Sequence, residues 1–235
     1  NEFAGNMAIG ATYAEHKARF ATDINRVIAE QLLALGLNVN FAPTVDVNVN
    51  PQNPVINVRS YGESPEKVAE LGIAAVSVLQ QGRVMSAMKH FPGHGDTHVD
   101  SHTGLPIVEH SRAQINAVDL FPFAQAIRAG GIASPAMIMT AHIQYPELDA
   151  TQFVAKDGKS TILPATLSRK ILTGVLRDEL NYQGLIVTDA MDMAGIAHYM
   201  EESEAMLQTF YAGADIALMP YTIRNSTDIA NYEAV

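Results

Sequence analysis

The sequence predicts an α/β fold of the (β/α)8, or TIM-type, barrel class. Two observations lead to this prediction: short apolar runs alternate with amphipathic helical stretches, and each run is followed directly by polar residues or proline. In a barrel of parallel strands, the C-terminal strand ends meet at one rim and carry the active site. An open, doubly wound sheet would use the same edge, but the sequence has no glycine-rich phosphate turn to mark a nucleotide crevice. The barrel is therefore favoured.

Five apolar runs are the predicted strands, at residues 37–41, 84–88, 136–140, 184–188 and 214–219. Amphipathic stretches predict helices at residues 9–35, 64–79 and 166–180. Ser64 followed by Pro65 is typical of a helix start, and Ser168 can cap the third helix. Residues 149–164 are polar and aperiodic, which indicates a surface excursion rather than a linker between domains.

Length and composition fit one domain of this class. The chain has 235 residues, of which 48% are hydrophobic and 17% charged, and this is enough to bury a large core. The net charge of −10 disfavours nucleic acid, because nucleic-acid binding needs Lys and Arg to neutralise phosphates. The absence of cysteine excludes disulfides and thiolate chemistry, and no apolar run is long enough to span a membrane. A small neutral or cationic substrate is expected.

Polar side chains follow the predicted strands at the point where each strand ends. Asp46 follows the first strand, Lys89 and His90 the second, His142 the third and Asp189 the fourth. Because the strand ends share one rim, reactive groups from separate strands are expected to converge there.

The loop after the second strand is dense in ionisable groups. Residues 89–102 read KHFPGHGDTHVDSH, in which Pro92, Gly93 and Gly95 prevent a continued strand or helix. Loops on a rigid scaffold are where catalytic residues concentrate. The loop is therefore predicted to carry chemistry.

A metal site is an alternative interpretation of this loop. Its potential zinc ligands are His90, His94, Asp96, His98, Asp100 and His102. Against a metal, the sequence has no HExxH spacing and no cysteine, and Lys89 would place a cation in the site. We predict no metal and no cofactor.

Residues 89–102, with Leu105 and Pro106 after them, resemble the signature loop of the β-N-acetylglucosaminidases of glycoside hydrolase family 3. The resemblance continues through the segments NFAP at 40–43, RSYG at 59–62, TDAMDM at 188–193 and AGAD at 212–215. It covers nearly the whole chain in order. It implies that residues 1–235 belong to the N-terminal catalytic barrel of a retaining exo-glycosidase. Such an enzyme releases terminal β-linked N-acetylglucosamine from peptidoglycan fragments or chito-oligosaccharides.

The resemblance assigns the catalytic residues. Asp189 matches the nucleophile, which would form a covalent glycosyl ester. The nearby Asp192 is expected to cap or orient the following helical turn instead. His102 matches the acid–base residue of this branch, and Asp100, two residues earlier, matches the carboxylate that holds it.

The resemblance also assigns the sugar-binding residues. Arg59, Lys89 and His90 match residues that bind the sugar preceding the cleaved bond, and charged donors suit vicinal hydroxyls. His94 and Asp96 are expected to shape the loop, while Asp46 and His142 either line the pocket or brace it. The histidines without a motif are predicted to be ordinary helix or surface residues: His16, His110 and His198.

The sequence departs from the family at its start. Members carry a strand followed by an Asp-x-Glu-Gly-Gly-Arg motif ahead of the segment that resembles the first residues here, and that motif is absent. We therefore expect a barrel that is incomplete at the N-terminus and at the C-terminus, with an additional C-terminal domain. The compartment stays open between bacterial cytoplasm and the periplasm or exterior.

Four alternatives remain at this point. A β-glucosidase or β-xylosidase of the same family is disfavoured by the Asp100-Ser101-His102 arrangement. Phosphate could replace water as the acceptor, because a neutral His repels an anion less than a carboxylate does. The other two are a metal-dependent hydrolase and a non-catalytic sugar-binding module.

Overall fold

The structure, a computed structural model, describes residues 3–102 and 104–233. Asn1, Glu2, Thr103, Ala234 and Val235, which the predicted domain includes, lie outside the described residues. The strands are β1 Val39–Asn40, β2 Met85–Phe91, β3 Met137–Thr140, β4 Gln152–Val154, β5 Ser160–Ile162 and β6 Leu185–Val187. The α-helices are α1 Asn6–Ala11, α2 Tyr13–His16, α3 Arg19–Ala34, α4 Pro65–Gln81, α5 Arg112–Gln114, α6 Phe121–Ala129, α7 Ala194–Ala197, α8 Glu202–Ala212 and α9 Ser226–Glu233. Two π-helical segments, Ile115–Asp119 and Lys170–Glu179, and 3₁₀ turns at Asn57–Arg59, Gly131–Ala133 and Ala165–Leu167 are also present.

The main sheet is parallel, with the strand order β1-β2-β3-β6. Spatial order follows chain order, and helices lie in each connection, as in an arc of a (β/α)8 barrel. The predicted fold class is therefore confirmed. Among the described helices, none is long and apolar enough to cross a membrane.

The prediction of a regular fifth strand at 214–219 is wrong. This segment joins β6 through a single parallel bridge between Val187 and Ile216. Beyond the bridge, the Leu218 N–H donates to the Thr188 hydroxyl instead of to a backbone carbonyl, at 2.9 Å. Met219 then adopts a positive φ of 47°, so the segment cannot continue as a strand.

The helix boundaries follow the capping residues. Ser64 caps α4 by accepting a hydrogen bond from the Lys67 N–H, and Ser168 accepts one from the Ile171 N–H at 3.2 Å, as predicted. The predicted helix 9–35 is instead divided into α1, α2 and α3, and Lys17, with a φ of 48°, ends α2. Apolar periodicity continues across such a break because the separate helices bury the same face.

Alternate residues of the sheet face two apolar layers. Met88, Ile138 and Ile186 pack into the large core beneath the helices. On the other face, Ala87, Met137, Met139 and Val187 form a separate apolar cluster inside the arc. This period of two places successive strand residues on opposite faces. Because the strands are parallel, their C-terminal ends meet at one rim, where the polar residues lie.

Gly95 lies against backbone of the chain that follows β1. A Cβ built on Gly95 would stand 1.7 Å from the Val47 carbonyl oxygen. We expect Gly95→Ala to lower the free energy of unfolding by about 3 kcal/mol or more, because rigid backbone must move. The matched control is Gly174→Ala, where the added Cβ meets nothing within 4 Å inside a helix and is expected to be neutral or stabilising. Urea unfolding of both variants checks this, and equal stabilities would contradict it.

Candidate active site

His90 connects the groups at the rim. It lies inside β2, which extends to Phe91 and so past the predicted end at residue 88, and the Lys89–His90 peptide bond is cis. Its Nδ1 donates to Asp46 Oδ2 at 2.7 Å. Its Nε2 lies 3.9 Å from Asp189 Oδ2 and 3.5 Å from Arg59 Nη2. One imidazole therefore stands between a buried carboxylate, an arginine and the proposed nucleophile.

Asp46 braces this arrangement from below. Its side chain is fully buried, and Oδ1 accepts hydrogen bonds from the backbone N–H groups of His90 at 3.1 Å and His94 at 2.7 Å. Burial alone would raise the pKa of Asp46, but the charges and hydrogen bonds of His90, with the nearby His94, hold it below its ordinary value. An ionised Asp46 thus fixes the β2 end and the first turn of the loop.

Asp189 is ionised and partly accessible. Its side chain is 21% exposed, and Oδ1 accepts a hydrogen bond from the Ala190 N–H at 2.9 Å. Burial alone would raise the pKa of Asp189, but His90, His142, the Ala190 N–H and Lys89 outweigh burial and lower it. A carboxylate that is held in its charged form and is partly accessible can attack an electrophile.

Arg59 supplies positive charge beside His90, and the charge of Lys89 acts on Asp189. Arg59 ends a 3₁₀ turn, and its Nη1 donates to the Val55 carbonyl at 3.2 Å, which leaves Nη2 directed towards His90. Burial and the charge of Arg59 lower the pKa of Lys89, while Asp189 and Asp46 oppose that shift. The two cations are donors available to hydroxyl groups of a ligand above Asp189.

His142 supports the backbone beside Asp189 and does not line open space. It is fully buried, with Nδ1 2.9 Å from the Thr166 hydroxyl and Nε2 2.9 Å from the Ala190 carbonyl. Burial lowers its pKa. With both ring nitrogens occupied, His142 fixes the residue that follows Asp189.

His94 crosslinks the loop. Its Nδ1 lies 2.6 Å from the Thr97 hydroxyl and its Nε2 lies 3.1 Å from the Ser101 hydroxyl. Asn53 donates to the His94 carbonyl at 2.7 Å. Burial, reinforced by the charge of His90, lowers the pKa of His94 from 6.5 to about 4. His94 is therefore neutral at pH 7 and serves as a buried hydrogen-bonding strut.

The depressed pKa of His94 predicts acid sensitivity. Between pH 6.5 and about 4 the unfolded chain protonates this ring and the folded chain does not, so stability falls as pH falls through that window. At about 1.4 kcal/mol per pH unit, His94 alone removes on the order of 3 kcal/mol by pH 4. Gln cannot titrate. The loss of unfolding free energy between pH 6.5 and pH 4 should therefore be smaller in His94→Gln than in wild type, by about 3 kcal/mol. Urea unfolding at pH 7, 5.5 and 4.5 measures it, and parallel curves for variant and wild type would contradict it.

Asp100 and His102 form a pair at the end of the loop. His102 donates to Asp100 Oδ1 twice, from Nδ1 at 2.6 Å and from its backbone N–H at 2.9 Å. Burial raises the pKa of Asp100, but the hydrogen bonds and charge of His102 lower it overall. The His102 side chain is 58% exposed. Among the described residues, it makes no hydrogen bond to Asp189 or His90.

Gly195 connects the loop end that carries this pair to the chain that follows Asp189. The Gly195 N–H donates to the Ser101 carbonyl at 3.1 Å. A Cβ on Gly195 would lie 3.1 Å from Ser101 O, Gly104 O and His142 Cβ. Helix α7, which follows Asp189, therefore packs directly on the loop end that carries His102.

The potential zinc ligands of the loop do not converge. Each histidine has partners of its own. His90 bonds to Asp46, and His94 bonds to Thr97 and Ser101. His98 lies 3.1 Å from Asn50 Nδ2, and His102 pairs with Asp100. Within residues 3–102 and 104–233, no group of three His, Asp or Glu side chains is arranged to hold a metal ion.

His110 was predicted to be an ordinary helix or surface residue, and that prediction is wrong. Its side chain is only 14% exposed and contacts Asp119 and Asp96. No helical or strand period links these three positions, so the sequence pattern carried no signal for them. The asparagines that hold the loop, Asn50 and Asn53, were missed for the same reason.

Comparison with known proteins gives a consistent result. A family model described as the glycosyl hydrolase family 3 N terminal domain matches residues 2–234. The beta-hexosaminidase A of Pseudoalteromonas piscicida is 57% identical over 231 residues, which are 98% of this chain and 38% of that protein. The glycoside hydrolase family 3 beta-N-acetylglucosaminidase from Paenibacillus sp. str. FPU-7 has a solved structure that matches with a TM-score of 0.85 and 40% identity, over 100% of this chain and 42% of that chain. A beta-N-acetylglucosaminidase/beta-glucosidase of Cellulomonas fimi is 33% identical over 220 residues, 91% of this chain and 36% of that protein. The chain thus spans less than half the length of each of these relatives.

Proposed function

The chain belongs to glycosyl hydrolase family 3, and from this premise we propose that it is the catalytic part of a retaining, exo-acting β-N-acetylhexosaminidase. One observation carries the proposal. Asp189, ionised and 21% exposed at the end of β6, lies within 3.9 Å of His90 in a rim that also holds Arg59 and Lys89. An accessible carboxylate among neutral and cationic donors suits nucleophilic attack on an uncharged sugar.

In the first step, an Asp189 oxygen attacks the anomeric carbon and the bond from that carbon to the leaving oxygen breaks. His102 donates its proton to that oxygen, so the leaving group departs as a neutral alcohol. The products are a covalent glycosyl ester on Asp189 and a neutral His102.

In the second step, water attacks the anomeric carbon while His102 takes the water proton. The ester bond to Asp189 breaks and the carboxylate is regenerated. Two inversions at one carbon give net retention of configuration. His102 is returned to its protonated form and the cycle closes.

Asp100 prepares His102 for both steps. By accepting the Nδ1–H at 2.6 Å, Asp100 fixes the ring orientation and directs the other ring nitrogen outward. The exposure of His102 fits a group that reaches the leaving oxygen when the loop closes over bound sugar.

The proposed sugar-binding groups are Arg59, Lys89 and His90. Arg59 Nη2 and His90 Nε2 lie 3.5 Å apart. The charges of His90 and Lys89 both act on the Asp189 carboxylate. Adjacent polar groups of this kind suit vicinal hydroxyls, which both donate and accept hydrogen bonds. The Paenibacillus and Cellulomonas fimi relatives are named as beta-N-acetylglucosaminidases, which supports N-acetylglucosamine as the released sugar. Peptidoglycan fragments or chito-oligosaccharides are the proposed sources.

The test uses the full-length protein with nitrophenyl β-glycosides of N-acetylglucosamine, glucose and xylose. The expected result is the highest kcat/KM for N-acetylglucosaminide, unchanged after exhaustive chelation. A preference for glucoside would favour the β-glucosidase activity that also occurs in the name of the Cellulomonas fimi relative. Binding of N-acetylglucosamine without cleavage of any substrate would overturn the enzymatic proposal, and loss of activity on chelation would favour a metal-dependent hydrolase.

A further inference from the structure

His110 lies between two carboxylates outside the proposed catalytic groups. Its Nδ1 is 2.7 Å from Asp119 Oδ2, and its Nε2 is 3.2 Å from Asp96 Oδ2. The Asp119 side chain is 2% exposed and that of Asp96 is 29% exposed. One end of this cluster is therefore set in the core and the other end reaches the loop.

The core end is held firmly. Asp119 ends a π-helical segment, and its Cβ would lie 3.0 Å from a Cβ built on Gly93. Tyr145 donates from its hydroxyl to the Gly93 carbonyl at 2.7 Å. Two residues before His110, the Val108 N–H donates to the Gln144 carbonyl at 3.0 Å. His110 thus projects from backbone that is fixed to the segment after β3.

The other end of the cluster lies in the loop of residues 89–102, at residues 96 and 97, which we call the loop base. Asp96 is followed by Thr97, whose carbonyl accepts from Asn50 at 3.1 Å and whose hydroxyl bonds to His94. The Asn50 contact holds this part of the loop from the side of residues 46–53, and the His94 contact ties it to the rest of the loop. The contact of Asp96 with His110 holds it from the side of residues 106–119.

We propose that His110 is a positioning residue that clamps the loop base through Asp96 and thereby sets the place of the Asp100–His102 pair above Asp189. The inference rests on the proposed function, because it assigns the loop an acid–base task. It adds to that function a residue which touches neither the sugar nor the reacting atoms.

The charges support a double clamp. Two carboxylates facing the two ring nitrogens favour a proton on each nitrogen, because an unprotonated nitrogen would direct its lone pair at an anion. Burial raises the pKa of Asp119, and the hydrogen bond and charge of His110 oppose that shift. The hydrogen bond to Asp119, with the charges of Asp119 and Asp96, raises the pKa of His110 against the opposing effect of burial. A ring that carries a proton on both nitrogens donates to both partners at once.

Two variants of His110 separate the ends of the clamp. The amide nitrogen of His110→Asn takes the place of Nδ1, so it keeps the bond to buried Asp119 and cannot reach Asp96. The longer His110→Gln takes the place of Nε2, so it keeps Asp96 and leaves Asp119 without its partner ring. A positioning role predicts that His110→Asn lowers kcat about tenfold with little change in KM or Tm. It predicts that His110→Gln lowers Tm but keeps most of kcat.

Asp96→Ala completes the test. It should reproduce the kcat of His110→Asn, and the double variant should show no further loss, because both changes break one contact. The control is Ser168→Ala, which removes a 2.6 Å hydrogen bond to buried Asp149. It should lower Tm and leave kcat unchanged.

Amide hydrogen exchange in residues 96–102 provides a readout that does not depend on activity. His110→Asn and Asp96→Ala should speed exchange there, whereas Ser168→Ala should not. If kcat follows Tm across all variants, or if loop exchange in His110→Asn equals that of wild type, the clamp is refuted. An inactive wild-type protein would instead refute the proposed function, while the exchange comparison would still decide the clamp.

Discussion

Asp189→Asn in the full-length protein is expected to lower kcat/KM about 10³-fold or more, equivalent to about 4 kcal/mol of transition-state stabilisation. The amide is nearly the same size as the carboxylate but cannot form the glycosyl ester. It also removes the negative charge that His90, His142 and Lys89 surround. Steady-state kinetics with a nitrophenyl N-acetylglucosaminide measures the loss.

Asp192→Asn is the matched control for this prediction. Asp192 is three residues away and exposed, and its contact is with the Thr222 hydroxyl at 3.4 Å. Its activity should stay close to that of wild type. Trapping with a fluorinated glycosyl donor, followed by peptide mapping, should label Asp189. A label on another residue, or no label with full turnover through the acetamido group of the substrate, would contradict the assignment.

His102→Gln is expected to act according to the leaving group. For an oligosaccharide, whose leaving oxygen needs a proton, kcat/KM should fall about 10²- to 10³-fold. A dinitrophenyl glycoside releases dinitrophenolate, which departs without protonation. For this substrate the rate constant of the first step should fall about tenfold or less. Asp100→Asn should show the same pattern more weakly, because the ring remains but loses the carboxylate that orients it.

His98→Gln controls for damage to the loop. His98 lies in the same loop and is exposed, and its ring contacts Asn50 at 3.1 Å. It should leave kcat/KM for both kinds of substrate near wild type. Equal losses in His102→Gln for good and poor leaving groups would show that His102 is not the acid, and the proposed mechanism would need another proton donor.

Several features were accessible from the sequence because they depend on neighbours in the chain. Alternating apolar runs and helical stretches predicted the parallel α/β arc, and the serine caps at Ser64 and Ser168 lie where expected. The family resemblance implied the pairing of Asp100 and His102, two residues apart, and the contact between them needs only one turn of backbone. The same local pattern was insufficient at residues 214–219, where apolar character suggested a strand but the Thr188 hydroxyl takes the ladder position.

Other features depended on contacts between distant parts of the chain. From the sequence, Asp46 could either line the pocket or brace it. Its role as a brace follows from a hydrogen bond to His90, which is 44 residues away in the chain. The role of Gly95 depends on the approach of Val47, and that of His110 on carboxylates reached from two different elements. No periodicity along the chain encodes such meetings.

The sequence by itself determined the fold class, the family resemblance and the residue types gathered at the rim. These follow from side-chain period and from short spacings, which are properties of contiguous residues. Only the tertiary structure decided that Asp46 is a buried brace, that Asp189 stays partly accessible, and that His110 contacts two carboxylates. Burial, and with it the charge state of each group, depends on how the packed elements exclude water around it.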